Sequence, residues 1–152
     1  MMTWRARLAE LDIALPPVAP PAGSYLPAVQ TGSLVYTAGQ IPLVDGTVAA
    51  TGKVGAGVSP EEGQRLARVC ALNALAAVDA LVGIDAVVRV VKVVGFVASA
   101  EGFTGQPAVL NGASDLLAEI FGERGRHARS AVGVAELPLG VPVEVELVVE
   151  VA

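Results

Sequence analysis

The most constraining feature of the sequence is the alternation near its end. Apolar side chains alternate there with glutamates: Val143, Val145, Leu147 and Val149 against Glu144, Glu146 and Glu150. A period of two is typical of a strand with one buried face. Residues 127–134 form a similar run, and a Pro/Gly turn separates the two. We therefore predict an antiparallel pair of strands, in which Arg129 and Glu144 could line one cleft at a sheet edge.

Two long helices and one short helix are predicted upstream. Ser59 and Pro60 open the first, with Glu62 completing a capping box, and the pattern runs to about Leu81 before Gly83. The second should run from Thr104 to about Phe121. A short amphipathic helix over residues 3–14 precedes a proline-rich connector over residues 16–21, so residues 1–21 form an N-terminal extension.

The remaining strands complete one mixed sheet. Short strands are expected at residues 25–29, 34–38 and 47–50, the last after an Asp45-Gly46 turn. The valine-rich run 87–97 predicts a central strand covered on both faces. Arg89 and Lys92 do not share parity, so a bulge or a strand end is expected to interrupt it. This order predicts an α+β fold with a single mixed sheet and both long helices on one face. Self-association is the simplest cover for the other face.

Composition narrows the functional classes. A length of 152 residues favours a single domain. The single cysteine favours a reducing cytoplasm, because it cannot form an internal disulfide. The net charge of -5 disfavours a nucleic-acid partner, because it would repel phosphates. No apolar run is long enough for a membrane helix. With 53% apolar and 16% charged residues, we expect a homo-oligomer. Cys70 is predicted to be a core residue and Asn73 to bond backbone. One histidine and one cysteine give no metal-ligand cluster.

Two motifs in order resemble the RidA-YjgF family of enamine/imine deaminases. They are Gly-Ser-Leu-Val-Tyr-Thr-Ala-Gly-Gln-Ile-Pro at 32–42 and Ala-Arg-Ser-Ala-Val from residue 128, continuing to Val-Glu-Val-Glu at 143–146. The resemblance covers residues 22–152. It implies a chorismate-mutase-like domain whose trimer packs three sheets into a central barrel, with sites between subunits. It also implies hydrolysis of small 2-imino acids, such as 2-aminoacrylate-type products, to 2-oxo acids and ammonia, without a cofactor.

The resemblance assigns roles to individual residues. Arg129 matches the arginine that binds the substrate carboxylate, and Glu144 the glutamate that holds the attacking water. Tyr25 matches a tyrosine that closes the pocket, and the backbone N–H of Gly39 matches a second carboxylate contact. Asn111 aligns loosely with a pocket asparagine on the second helix. From the residues alone, Arg129 would more often be a structural ion-pair partner, and Glu144 part of a solvated face.

Three positions depart from the family pattern. Ala38 replaces a common serine or threonine, Ala131 a common cysteine, and His127 a common proline. The first two departures keep open a non-catalytic module that binds a small carboxylate. Chorismate rearrangement is a second alternative, but it normally uses several cations on a dicarboxylate. A nuclease role, proposed for relatives, fits poorly with the acidic balance.

Overall fold

The computed structural model describes residues 2–152 and contains three α-helices and seven strands in that range. In chain order they are α1 (Trp4–Glu10), β1 (Ala28–Thr31), β2 (Leu34–Thr37), β3 (Leu43–Val44), β4 (Thr47–Val48), α2 (Pro60–Val82), β5 (Val87–Ala98), α3 (Gln106–Phe121), β6 (Ala128–Val134) and β7 (Val143–Val151).

Five of the strands form one mixed sheet in the order β1-β2-β7-β5-β6, and β3 and β4 form a separate hairpin. Strands β5 and β6 run parallel, while the other pairs are antiparallel. Helices α2 and α3 pack together and against one face of the sheet, which does not close into a barrel within the chain. The predicted α+β architecture, a mixed sheet with both long helices on one face, is confirmed. The strand expected in this sheet at residues 47–50 is instead the shorter β4, which pairs with β3 outside the sheet.

Strands β6 and β7 are not neighbours, so the predicted pairing of the two is wrong. β5 lies between them and pairs with both. The reason is the helix that connects β5 to β6: a crossover through α3 returns the chain parallel to β5, on its free side. The Pro/Gly segment 135–142 then passes across the end of β5 to reach β7.

The ends of the long helices follow local rules. Ser59 Oγ accepts a hydrogen bond from the Glu62 amide, and α2 ends at Gly83 with a φ of 82°. Helix α3 begins two residues later than predicted, after Gly105. Gly112 lies in its middle, where a Cβ would overlap the main-chain carbonyl of Gln64 in α2. Glycine thus allows the two helices to touch at their backbones.

The predicted bulge in β5 is confirmed, because its register with β7 shifts between Val87 and Arg89 and again between Val90 and Lys92. The predicted cover on both faces is not found within one chain. Val93 is fully buried under the helices, whereas Val91 is 36% exposed. The sheet therefore presents one face, hereafter the open face, that no segment among residues 2–152 covers. Its exposed apolar side chains are Val29, Tyr36, Val91 and Val132.

The N-terminal helix docks on its own chain. It covers Trp4–Glu10 rather than the predicted residues 3–14, with Thr3 as its N-cap. The indole N–H of Trp4 donates to the Val87 carbonyl at 2.7 Å. The Trp4 ring contacts Phe121 edge-on, with 5.0 Å between the ring centroids.

In the described chain no helix combines the length and hydropathy that a bilayer span requires.

The first strand starts later than the sequence pattern indicated. It begins at Ala28 rather than Tyr25. Pro27 precedes it and has no N–H to give to a neighbouring strand, so pairing starts after it. Tyr25 consequently lies on the loop that leads into the sheet, where its side chain is 49% exposed.

Candidate functional site

Arg129 lies on the edge strand β6 and extends toward helix α3. Its Nη1 donates to the Asn111 side-chain oxygen at 2.9 Å and to Ser114 Oγ at 3.1 Å. Its Nη2 donates to the Pro107 carbonyl at 3.3 Å. All three acceptors are neutral, and among residues 2–152 no carboxylate forms an ion pair with this guanidinium. The positive charge of Arg129 is therefore held in place without being cancelled.

The hydrogen-bond count of Arg129 leaves two of its N–H groups unused. A guanidinium has five N–H groups, and the contacts to Asn111, Ser114 and Pro107 use three of them. The Nε–H and one Nη2–H donate to no atom of the described chain. These two groups remain available to hydrogen-bond a carboxylate, the anion that guanidinium groups bind best.

Ser114 connects Arg129 to the only histidine. Ser114 Oγ lies 2.9 Å from His127 Nε2, and His127 Nδ1 lies 2.6 Å from the Gly125 carbonyl. Burial lowers the pKa of His127 below its ordinary value and the nearby Arg129 charge adds to this, while the bond to Gly125 opposes it. The imidazole is therefore neutral at pH 7.

Glu144 lies on the central strand β7, on the open face of the sheet. Burial raises the pKa of its carboxyl above the ordinary value, and the neighbouring Glu146 charge raises it further. Gly39 lies so close that a Cβ there would overlap the Glu144 carboxylate. The Gly39 N–H donates to no backbone acceptor in the described chain, whereas the amides on both sides of it are bonded, Ala38 to Pro27 and Gln40 to Val145.

Tyr25, Gly39 and Gln40 line a small cavity of about 70 Å³ together with part of the proline-rich connector. The Tyr25 hydroxyl accepts a hydrogen bond from the Ala22 amide at 3.2 Å, which holds the connector to the ring. Ala38 lies directly before Gly39 and offers no side-chain donor. Gly39 and Tyr25 therefore line the same cavity, and position 38 supplies no hydroxyl beside it.

The structure separates the two charged candidates within one chain. Arg129 is in register with Val93 of β5 and Glu144 with Phe96. Val93 is buried under the helices, and Phe96, three residues along, lies on the opposite face. The Cα atoms of Arg129 and Glu144 are therefore separated by roughly 10 Å perpendicular to the strands and by roughly 10 Å parallel to them. A single chain does not form the shared cleft expected from the sequence.

The candidate residues thus fall into two separate groups within one chain. We call the set of Arg129, Asn111, Ser114 and His127 the arginine half-site. We call the set of Glu144, Gly39 and Tyr25 the glutamate half-site. The first can bind an anion, and the second can hold a water molecule or a proton beside a free backbone donor.

Other candidates do not join either half-site. Cys70 is fully buried, as predicted, and burial raises its thiol pKa well above the ordinary value, with a further contribution from the Glu144 charge. The Asn73 amide donates to the Ile41 and Leu43 carbonyls at 3.1 Å, which confirms a backbone-bonding role. Among residues 2–152, no group of histidine, cysteine and acidic side chains could hold a metal ion.

Sequence reasoning missed Ser114 and gave His127 no role. The available signal was spacing on the helix: Asn111 and Ser114 are three residues apart and share one face of α3. The contact of Ser114 with His127 depends on how α3 packs against the start of β6, and no local pattern reports that.

Comparisons with known proteins agree with the fold. The family model described as endoribonuclease L-PSP, which includes the RidA-YjgF proteins, matches residues 17–151. "Protein TCP17" of Trypanosoma cruzi is 47% identical over 147 residues, covering 95% of this chain and 92% of that protein.

Two crystal structures are also similar. The protein Atu1372 of Agrobacterium tumefaciens is 43% identical with a TM-score of 0.89, covering 99% of this chain and 94% of that one. The protein TdcF of E. coli, crystallised with bound serine, is 25% identical with a TM-score of 0.65, covering 89% of this chain and 94% of that one.

Proposed function

We propose that this chain, which belongs to the RidA-YjgF family of endoribonuclease L-PSP proteins, is a hydrolytic deaminase of small 2-imino acids. Arg129 of one subunit would bind the substrate carboxylate, with Asn111 and Ser114 holding the guanidinium. Glu144, Gly39 and Tyr25 of a neighbouring subunit would complete the site. The observation that carries the proposal is the Arg129 guanidinium, which is held by neutral acceptors only and keeps two N–H groups unused.

The reaction places modest demands on the protein. A 2-imino acid is already electrophilic at its C=N carbon, so orientation and proton transfer are the main requirements. Glu144 would take a proton from the water whose oxygen attacks that carbon, and would then pass the same proton to the imine nitrogen. In the resulting amino alcohol, Glu144 would move the hydroxyl proton to the amino group, the C–N bond would break, and ammonia and the 2-oxo acid would be released. A carboxyl with a raised pKa suits this work, because it accepts a proton more readily than an ordinary carboxylate and can return it.

The assembly is part of the proposal. The half-sites lie on different faces of one sheet, so joining them needs a second copy. The open face carries exposed Val29, Tyr36, Val91 and Val132 around half-buried glutamates, which is a surface suited to association. We propose a homotrimer in which these faces pack around an axis. Light scattering on the eluted protein should give three chain masses, and a monomer at micromolar concentration would contradict the shared site.

The activity is tested by coupling the protein to an amino-acid oxidase that releases 2-imino acids. The wild-type protein should accelerate 2-oxo acid formation above the oxidase alone. The substitution Arg129→Ala should return the rate to that background. Arg126→Ala is the matched control, since Arg126 is exposed, lies three residues away and pairs only with Glu123. Equal turnover by Arg129→Ala and wild type would refute the assignment.

A second candidate is a non-catalytic module that binds a small carboxylate or amino acid in the same place. Two observations favour it: Ala38 and Ala131 supply neither hydroxyl nor thiol, and the relative TdcF holds serine. Thermal stabilisation by 2-oxobutyrate or serine, lost in Arg129→Ala and unaccompanied by imine turnover, would select this alternative.

A further inference from the structure

We infer that His127 and Ser114 are positioning residues that orient Arg129 for a carboxylate. The inference rests on the proposed function, in which Arg129 binds the substrate acid. Neither residue would touch the substrate. They would act by fixing the orientation of the guanidinium and so which of its N–H groups stay free for a ligand.

The direction of each hydrogen bond follows from its partners. The Gly125 carbonyl can only accept, so the proton of the imidazole lies on His127 Nδ1, at 2.6 Å from that oxygen. A neutral ring protonated at Nδ1 has a bare Nε2, which accepts from the Ser114 hydroxyl 2.9 Å away. Ser114 Oγ then keeps its lone pairs for Arg129 Nη1 at 3.1 Å. The hydrogen bonds thus form a series with one direction of donation, from guanidinium to hydroxyl to imidazole to carbonyl.

This order has a consequence for the serine. A free hydroxyl rotates and can direct its own hydrogen toward any neighbour. Here His127 takes that hydrogen, so Ser114 presents only lone pairs to the arginine. Successive donation in one direction also polarises each bond in the chain. The result is a stable acceptor for Nη1, which fixes the orientation of the guanidinium and leaves Nε–H and one Nη2–H for a ligand.

The absence of charge on Ser114, His127 and Gly125 matters as much as the direction of their hydrogen bonds. A carboxylate in place of the imidazole would accept the same hydrogen, but its charge would attract the guanidinium and oppose the incoming acid. Burial and the Arg129 charge keep the pKa of His127 below its ordinary value, so this series of hydrogen-bonded groups stays neutral at pH 7. The full cationic charge of Arg129 remains available to a ligand.

A spectroscopic test needs no ligand. Nitrogen NMR of the wild-type protein at pH 7 should show His127 neutral with its proton on Nδ1. In Ser114→Ala the Nε2 resonance should shift, because its donor is gone. A ring protonated on Nε2, or an Nε2 signal that ignores the loss of Ser114, would overturn the inference whatever the protein binds.

A binding test uses calorimetry with 2-oxobutyrate, and benzoate against benzamide as a pair with and without the charge. Ser114→Ala and His127→Leu should each raise the Kd of the acids by roughly 3- to 10-fold, the size of one hydrogen bond. His127→Gln should stay within about twofold of wild type, because its side-chain oxygen can replace Nε2 as acceptor. Benzamide binding should not change in parallel. Ser33→Ala, on an exposed turn, serves as the control.

The double variant Ser114→Ala/His127→Leu separates an indirect role from two independent ones. If His127 acts through Ser114, the double variant binds no more weakly than either single variant. Additive losses, or a Gln variant as weak as the Leu variant, would overturn the inference. A wild-type protein that binds no acid would instead refute the proposed function, and the nitrogen NMR result would still stand by itself.

Discussion

Arg129 and Glu144 carry the two charges of the proposed site, and the protein surrounds them differently. Arg129 has three hydrogen-bond acceptors and lies on an edge strand. Glu144 lies on the central strand, half-buried beside another acid, and its raised pKa has burial and charge repulsion as its causes. The cation is positioned, whereas the anion is destabilised. Positioning suits a group that binds throughout the reaction, and destabilisation suits one that exchanges protons.

The largest expected effects distinguish these roles by kinetics. Glu144→Gln should lower kcat by roughly 100- to 10,000-fold, the usual contribution of a general base, with little change in KM. Arg129→Lys should act mainly on KM, because an ammonium keeps the charge but lacks the planar fork. Initial rates over a range of imine concentrations measure both constants. The same pattern from both variants would remove the distinction between the half-sites.

Glu146→Gln is the matched control for Glu144→Gln. Glu146 lies two residues along the same strand and on the same face, but Gly39 contacts Glu144. We expect Glu146→Gln to retain most of the activity. A loss as large as that of Glu144→Gln would mean that the glutamates act as a set, and that the motif misled the assignment.

Mixing two inactive variants tests whether the half-sites come from different chains. In a ring, a site that joins Arg129 of one subunit to Glu144 of the next should be rebuilt when Arg129→Ala and Glu144→Gln chains assemble together. Random mixing restores roughly a quarter of the sites. Co-refolded material should therefore recover about that fraction of wild-type activity. Recovery at background level, with mixed assemblies shown by mass spectrometry, would place both residues in one chain's site.

Gly39→Ala should affect the glutamate half-site alone. The new Cβ would overlap the end of the Glu144 side chain, which can move, so the fold should survive while the carboxylate shifts. We expect about a tenfold loss of kcat, an unchanged Tm and unchanged binding of carboxylates to Arg129 in the absence of turnover. Gly57→Ala, where a Cβ would meet nothing, is the control. A fall in Tm would point to a structural role for Gly39.

The smallest effect concerns stability and pH. Because folding raises the pKa of Glu144, the folded state binds its proton more tightly than the unfolded state does. This contribution to stability is present below the unfolded pKa and is lost as pH rises through the folded pKa. Glu144→Gln should therefore melt at a higher temperature than wild type at pH 7, and the difference should shrink near pH 4. A lower Tm at pH 7 would show that the charge is stabilised.

Local chemistry made much of this fold predictable. Helix α2 begins after Ser59 and ends at Gly83, as capping rules require. Arg89 and Lys92 are three residues apart and would face opposite sides of a regular strand, which indicated the irregularity in β5. Strand order was not readable, because alternation tells which side chains share a face and not which strand is adjacent. That is why β5 between β6 and β7 was missed. The arginine was visible from its motif, but its neutral partners Ser114 and His127 come together only through helix packing.

Gly112 gives this packing a practical consequence. It lies between Asn111 and Ser114, pressed against the carbonyl of Gln64. A glycine inside a helix costs about 1 kcal/mol relative to alanine, so a thermostabilisation programme would normally replace it. Here alanine would push α3 away from α2 and carry the two supports of Arg129 with it. We therefore expect Gly112→Ala to weaken the binding of carboxylates to Arg129, even where the substitution raises the Tm.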